Sequence, residues 1–266
     1  MLDGNATLDI ADISTSHGGA RAFNSFALAG MACRADPSGA LLIEDGRVMV
    51  VADLHFEKAS AYARRGVFLP PYDTAATLAR LAQAVARLVP RAIVALGDSF
   101  HDRCGAERLG AADAASLRQL QRGRNWIWVA GNHDPAAPRD LGGEACEEWR
   151  HGTLVLRHEP QPNAQPGEIA GHLHPVARIA GRGISLRRRC FVADASRCVL
   201  PAFGALAGGL NLRDPAFRPL FAGPVMAHVL GRAQVYAVRG ARCLADANAP
   251  PSRFFADPGT QPPARR

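Results

Sequence analysis

From residue 40 to residue 157 the chain alternates short apolar runs with longer stretches of helical periodicity. In GALLIEDGRVMVVADLH two apolar runs flank an Asp45-Gly46 pair, which predicts a hairpin whose second strand ends at Asp53. DTAATLARLAQAVARLVP predicts a helix. Leu78, Leu81, Val85, Leu88 and Val89 fall at helical spacing, Asp73 stands where a cap belongs, and Pro90 stops the run. RAIVALGD then reads as a second buried strand, AADAASLRQLQRG as a second helix with Gly123 as its stop, NWIWVAGNHD as a third strand and TLVLRH as a fourth. Strands that alternate with helices imply an α/β core.

Residues 1–22 and 248–266 are rich in small, polar and proline residues and read as flexible ends around a single domain spanning 23–247. The most apolar stretches, FALAGMAC and RAIVALG, are too short to span a bilayer. The opening MLDGNATLDIADIS has neither a basic region nor an apolar core of signal-peptide type, so a cytoplasmic location is expected. Six cysteines without a C-x-x-C pair make neither a zinc ribbon nor a dense disulfide framework, and read as idle thiols in a reducing compartment. A net charge of +7 favours polyanionic partners. Lys58 is the chain's lysine and every other basic residue is arginine, so compositional bias accounts for that charge equally well.

Chemistry concentrates where the apolar runs stop. Asp53-Leu54-His55, Gly97-Asp98, Gly131-Asn132-His133-Asp134 and His158 each follow a strand, and Gly171-His172-Leu173-His174 comes next. In open α/β sheets ligands bind beyond the carboxyl ends of the strands, so loops distant in sequence meet there. In D-x-H and H-x-H, alternate residues of an extended segment face the same way. Carboxylate, amide and imidazole donors without thiolate suit Mn, Fe or Zn. Seven candidate ligands exceed the needs of one ion and fit two that share a carboxylate.

This ordered set, D-x-H, GD, GNHD, H and GHxH, resembles the calcineurin-like metallophosphoesterase superfamily over residues 53–174. The resemblance implies an α/β fold of two facing β-sheets flanked by helices, with metals at the loops on one edge. It implies that Asp53, His55 and His174 hold one divalent ion, that Asp98 bridges, and that Asn132, His158 and His172 hold the second, with manganese favoured over iron or zinc. His133 would serve the leaving oxygen, and Asp134 would orient it. ADLHFEKASAYARRG, LGDSFHD, GHLHP and above all LPAFG-x-x-x-GGL (Leu200 to Leu210) are similar to the PdeM branch, the ligase-associated DNA damage response endonucleases. That branch implies phosphodiester cleavage in DNA, with a DNA ligase and other repair enzymes as partners.

One position departs from the superfamily. Where GD-x-x-D is common, this chain has His101, followed by Asp102, which argues against a phosphoprotein phosphatase. Lys58, Arg64 and His101 are the candidates for holding substrate, since all lie soon after metal loops. Arg64-Arg65, Arg187-Arg188-Arg189 and Arg265-Arg266 could meet a nucleic-acid backbone, although a solvated surface explains each as well. Two rivals stand beside a DNA phosphodiesterase: a phosphoesterase for a small nucleotide or cyclic nucleotide, and a non-catalytic, metal-stabilised repair scaffold. LPAFGALAGGL is expected to pack a strand and tight turn near the metal edge.

Overall fold

The computed structural model describes residues 23–43, 47–136, 138, 140–181 and 183–246. The expected flexible ends, the Asp45-Gly46 turn and Arg265-Arg266 lie outside the described residues.

The first sheet has seven strands in sequential order, β1 (Asn24–Leu28), β2 (Met31–Ala35), β3 (Leu41–Ile43), β4 (Val48–Ala52), β5 (Ala92–Leu96), β6 (Asn125–Val129) and β7 (Glu144–Cys146). β1 to β4 run antiparallel to one another, and β4 to β7 run parallel. Helices α1 (Lys58–Ala63), α2 (Asp73–Leu88), the short α3 (Gly105–Arg108) and α4 (Ala111–Gln121) fall between the parallel strands. The second sheet comprises β8 (Glu148–His151), β9 (Leu154–Arg157), β10 (Glu168–Ala170), β11 (Pro175–Gly181), β12 (Ile184–Ala193), β13 (Arg197–Val199), β14 (Leu210–Asn211), β15 (Met226–Leu230) and β16 (Val235–Arg239). Its strands β9, β10 and β13 are parallel neighbours.

The continuous apolar runs have a direct cause: β4, β5 and β6 are covered on both faces. Val50, Val94 and Val129 point toward Leu156, Ile169 and Phe191 of the second sheet, forming the core between the sheets. Met49, Val51, Ile93 and Trp126 point the other way, onto Leu78, Leu81 and Val85 of α2 and Leu117 of α4. Burial of these side chains on both faces, at roughly 1.5–3 kcal/mol for each large one, holds the layers together. α2 ends where expected, with Val89 in a left-handed conformation before Pro90. Asp73 differs from its expected role: it is the first helical residue, and its carboxylate accepts from the Ala59 backbone N–H at 3.1 Å, tying α2 to α1. Loops that follow β4, β5, β6, β9 and β10 therefore emerge on one edge, each anchored by a strand that packing cannot let slip.

Candidate metal centre

Five of the expected ligand residues occupy backbone conformations that side chains avoid. Asp53 (φ 54°), His55 (46°), Asp98 (45°), His172 (67°) and His174 (46°) are all left-handed. The extended geometry expected for D-x-H and H-x-H is thus replaced by left-handed kinks at each ligand, with Leu54 and Leu173 buried between them. Each such residue costs roughly 1–2 kcal/mol, and it persists only where the surroundings over-determine it. Here they do. The Asp53 N–H donates to the Gly97 carbonyl at 3.2 Å and the His55 N–H to the Asp98 carbonyl at 2.9 Å. The His172 N–H donates to the Asp53 carboxylate at 3.1 Å, and the Gly171 N–H to the His158 carbonyl at 2.9 Å. From the loop after β13, Phe203 and Gly204 donate to the Ala52 and Asp53 carbonyls at 2.8 and 3.1 Å, so the LPAFG block braces the first loop from behind.

Two glycines are needed for close approach. A Cβ at Gly97 would sit 2.3 Å from the His158 ring, and one at Gly131 would sit 2.1 Å from the Asp98 backbone nitrogen. Substitution at either would push a ligand out of place.

The donor atoms converge in two groups. In the first, the Nε2 atoms of His55 and His174 are 3.3 Å apart, and His174 Nε2 is 3.1 Å from Asp53 Oδ1. In the second, Asn132 Oδ1 lies 2.8 Å from His158 Nε2 and 2.9 Å from His172 Nδ1, and His158 Nε2 lies 3.3 Å from Asp98 Oδ2. Ligands about 2.1 Å from one ion sit about 3.0–3.4 Å from each other; the His55–His174, His174–Asp53 and His158–Asp98 separations fall in that range and the two to Asn132 lie just below it. Asp53 also approaches His158, but at 3.7 Å and through Nδ1, the nitrogen turned toward the Leu96 carbonyl. Nε2 is the atom that meets Asn132, His172 and Asp98, so Asp98 is the carboxylate nearer that nitrogen, while Asp53 stands within reach of both groups.

The field in the cleft favours positive charge. Burial alone would raise the Asp53 carboxyl, yet the imidazoles of His174, His158 and His55 bring it below its ordinary value. Asp98 likewise resists burial and is held low by His158. Burial opposes protonation of His158, but Asp98 and Asp53 overcome it and raise the ring to about 9. His55 goes the opposite way, down to about 3, chiefly by burial. A neutral imidazole is the form that binds metal.

His133 faces the same cleft. Its Nδ1 is 2.7 Å from the His101 carbonyl, and its Nε2 is 3.8 Å from Asp98 Oδ2. A carbonyl only accepts, so Nδ1 carries the proton and Nε2 is turned to the site. The expected orienting partner, Asp134, does not fill that role in this geometry. Its carboxylate turns back to accept from the Phe100 N–H at 2.9 Å, and burial raises it to about 7. His101 is buried, stacks on His133 at 5.2 Å between ring centroids and meets His55 edge-on at 5.4 Å. Lys58 lies over the Tyr62 ring at 6.0 Å, and Tyr62 in turn is 5.4 Å from the His101 ring. Tyr62 lies within the ADLHFEKASAYARRG block but is not among the expected site residues. Arg64 is exposed at the end of α1. Arg189 is turned inward, where Nη1 donates to the Ala202 carbonyl at 2.8 Å, and Arg187 pairs with Asp246; neither is a free cation for a nucleic-acid backbone. Among the described residues no helix is long and apolar enough to cross a membrane.

The calcineurin-like phosphoesterase family model matches residues 46–188, which include every one of these loops. Among solved structures, Pseudomonas putida nuclease MPE is 31% identical over 81% of this chain and 100% of that one, with a TM-score of 0.62. The phosphoesterase Yfce from E. coli is 15% identical, with 71% of this chain and 95% of that one covered and a TM-score of 0.38. No curated protein matches the sequence. Family match and geometry agree: the chain belongs to the calcineurin-like phosphoesterases and is a metal-dependent phosphoric ester hydrolase.

Proposed function

We propose that the chain is a dinuclear phosphodiesterase that cuts DNA. The observation that carries this reading is the meeting of seven oxygen and nitrogen donors at the spacing of ligand shells, two carboxylates among them and no thiolate. Asp53, His55 and His174 would hold one divalent cation, Asn132, His158 and His172 the other, with Asp98 between them. The donor set suits manganese best, with iron or zinc as alternatives. When bound, such a pair supplies Lewis acidity toward phosphoryl oxygens and an acidified water.

The chain's own residues do the rest. His133 is held by the His101 carbonyl with Nε2 toward the cleft, where it stabilises or protonates the leaving oxygen. Because its tautomer is set at Nδ1, it donates from Nε2 as an imidazolium. Lys58 and Arg64 stand on the α1 side, where the nonbridging oxygens and neighbouring phosphates of a strand would run. A nucleic-acid strand is favoured over a small phosphoester by the nuclease that the chain resembles over most of its length, and DNA in particular by the sequence resemblance. A repair setting, with a DNA ligase among the partners, follows from the sequence resemblance.

The test is a screen of purified protein, loaded with Mn²⁺, against DNA, a small diester and a monoester, alongside His133→Ala. The variant should keep its metal content and lose about 10²–10⁴-fold in turnover. Unchanged turnover would remove His133 from the reaction. Cleavage confined to the monoester would refute the DNA reading.

A further inference from the structure

The segment joining α1 to α2, ARRGVFLPPY, exposes apolar side chains beside a basic stretch. Phe68 is 86% exposed, Tyr72 71% and Val67 48%. Large aromatic rings left in water to this extent mark surfaces that meet a partner. From Lys58 to Tyr72 the sequence has three cations, Lys58, Arg64 and Arg65, and no acid. The flanking acids are already engaged: Glu57 accepts from Ser60 and Thr74, and Asp73 from the Ala59 backbone. Arg64 and Arg65 make no ion pair among the described residues.

The segment is fastened to the metal edge. The Val67 N–H donates to the Tyr62 carbonyl at 3.1 Å, and the Tyr62 ring lies 5.4 Å from that of His101, which stacks on His133. Lys58 lies over the Tyr62 ring at 6.0 Å and the Arg65 N–H donates to the Tyr62 carbonyl at 2.9 Å, so both residues belong to the turn that sets Tyr62 against His101. Pro70-Pro71 limits the freedom of the backbone between Phe68 and Tyr72.

From this arrangement we infer that Phe68 and Tyr72 form a ledge on which unpaired bases of the DNA strand stack, while Arg64 and Arg65 take the phosphates between them. The inference rests on the DNA reading above and adds the residues that select the strand's form. A positive track with stacking rings is the general means of gripping a single strand, because every base offers a π-face. In a duplex those faces are hidden against their neighbours, so the ledge has nothing to hold.

The experiment compares wild type, Phe68→Ala/Tyr72→Ala and Phe68→Trp, all with Mn²⁺. Three substrates are used: an unpaired oligonucleotide, the same strand annealed to its complement, and methyl p-nitrophenyl phosphate. Stacking on two rings predicts a loss of about 10- to 100-fold in kcat/KM on the unpaired strand for the double variant. The small diester should change by less than about twofold, and Phe68→Trp should retain the wild-type rate with its fluorescence quenched by the bound strand. Equal losses on all three substrates would reduce the ledge to a structural support and overturn the inference. So would an undiminished rate on the unpaired strand, in which case the DNA reading survives without it. A wild-type protein that cleaves the small diester but neither form of DNA would refute both.

Discussion

Two sets of buried carboxylates in this molecule are solved in opposite ways. In the second sheet, Glu168 is 1% exposed and meets two arginines: Arg197 Nε at 2.9 Å and Arg157 Nη1 at 3.6 Å. It also accepts from the Gln161 N–H at 3.0 Å. Burial raises its carboxyl, and the backbone donor and arginines pull back against that. At the metal edge, Asp53 and Asp98 are buried as deeply, but among the described residues their ion pairs are to imidazoles alone. Glu168 sits on a regular strand, whereas the two aspartates sit on left-handed kinks. A closed ion pair finds its counter-charge within the fold. The metal edge instead spends backbone conformation to aim lone pairs at common points, which is how a functional site differs from a structural one.

The sharpest way to break that comparison is to remove one carboxylate from each set. Asp98→Asn should lose metal content and lower turnover by about 10³-fold, since several kcal/mol of charge stabilisation goes with the cations. Its metal-free melting temperature should fall less than that of Glu168→Gln, because the imidazole that loses its counter-charge, His158, can release its proton and an arginine cannot. Glu168→Gln should do the reverse. Metal content and turnover of the folded protein should persist, while stability falls by about 3–5 kcal/mol as the buried Arg197 guanidinium loses its counter-charge; Arg157 keeps Glu148. If both variants lost stability alike and kept their metal, the distinction drawn here would be false.

Metal depletion sharpens the same contrast by a smaller amount. A ligand at about a hundred times its Kd stabilises the folded state by about 2.7 kcal/mol. Chelation of wild type and Glu168→Gln should lower both melting temperatures by a common increment, readable by calorimetry. Asp98→Asn should show no such response.

The two regions also differ in how far the sequence reveals them. β4, β5, β6 and β9 were legible because sheet strands covered on both faces, or anchored in the inter-sheet core, leave continuous apolar runs. β10 was not, since its three residues include Glu168, whose burial makes sense only beside Arg197 some thirty positions later. β12 hides for a related reason: residues 184–188 are all exposed, with Ile184 and Leu186 set among Ser185, Arg187 and Arg188, and only its last residues, Cys190 to Ala193, enter the core. At the site, the donor types and their order could be read from the motifs. The left-handed kinks could not, because they are imposed by hydrogen bonds between loops rather than by any residue's own preference. The role of His101 is hidden in the same way. Its carbonyl, which accepts from His133, is a group every residue has, so no choice of side chain announces it.

A histidine outside both sets gives the finest test. His228 is 3% exposed, stacks on Phe26 at 4.4 Å and holds Asn24 Oδ1 at 2.7 Å through Nδ1. Burial lowers it to about 4, from an ordinary value of 6.5, and no carboxylate offsets this. The folded protein therefore takes up this proton later than the unfolded chain does. Stability is unaffected above about pH 6.5, falls as the pH drops through the window, and levels off below about pH 4. At pH 5.5 the loss from this ring is about 1.4 kcal/mol. His228→Gln keeps a donor for Asn24 and cannot ionise, so its stability should fall less steeply between pH 6.5 and pH 4 in urea titrations, with turnover at neutral pH unchanged. Parallel acid limbs for the two proteins would show that His228 carries its proton in the folded state, and that burial without a counter-charge is not what separates it from His158.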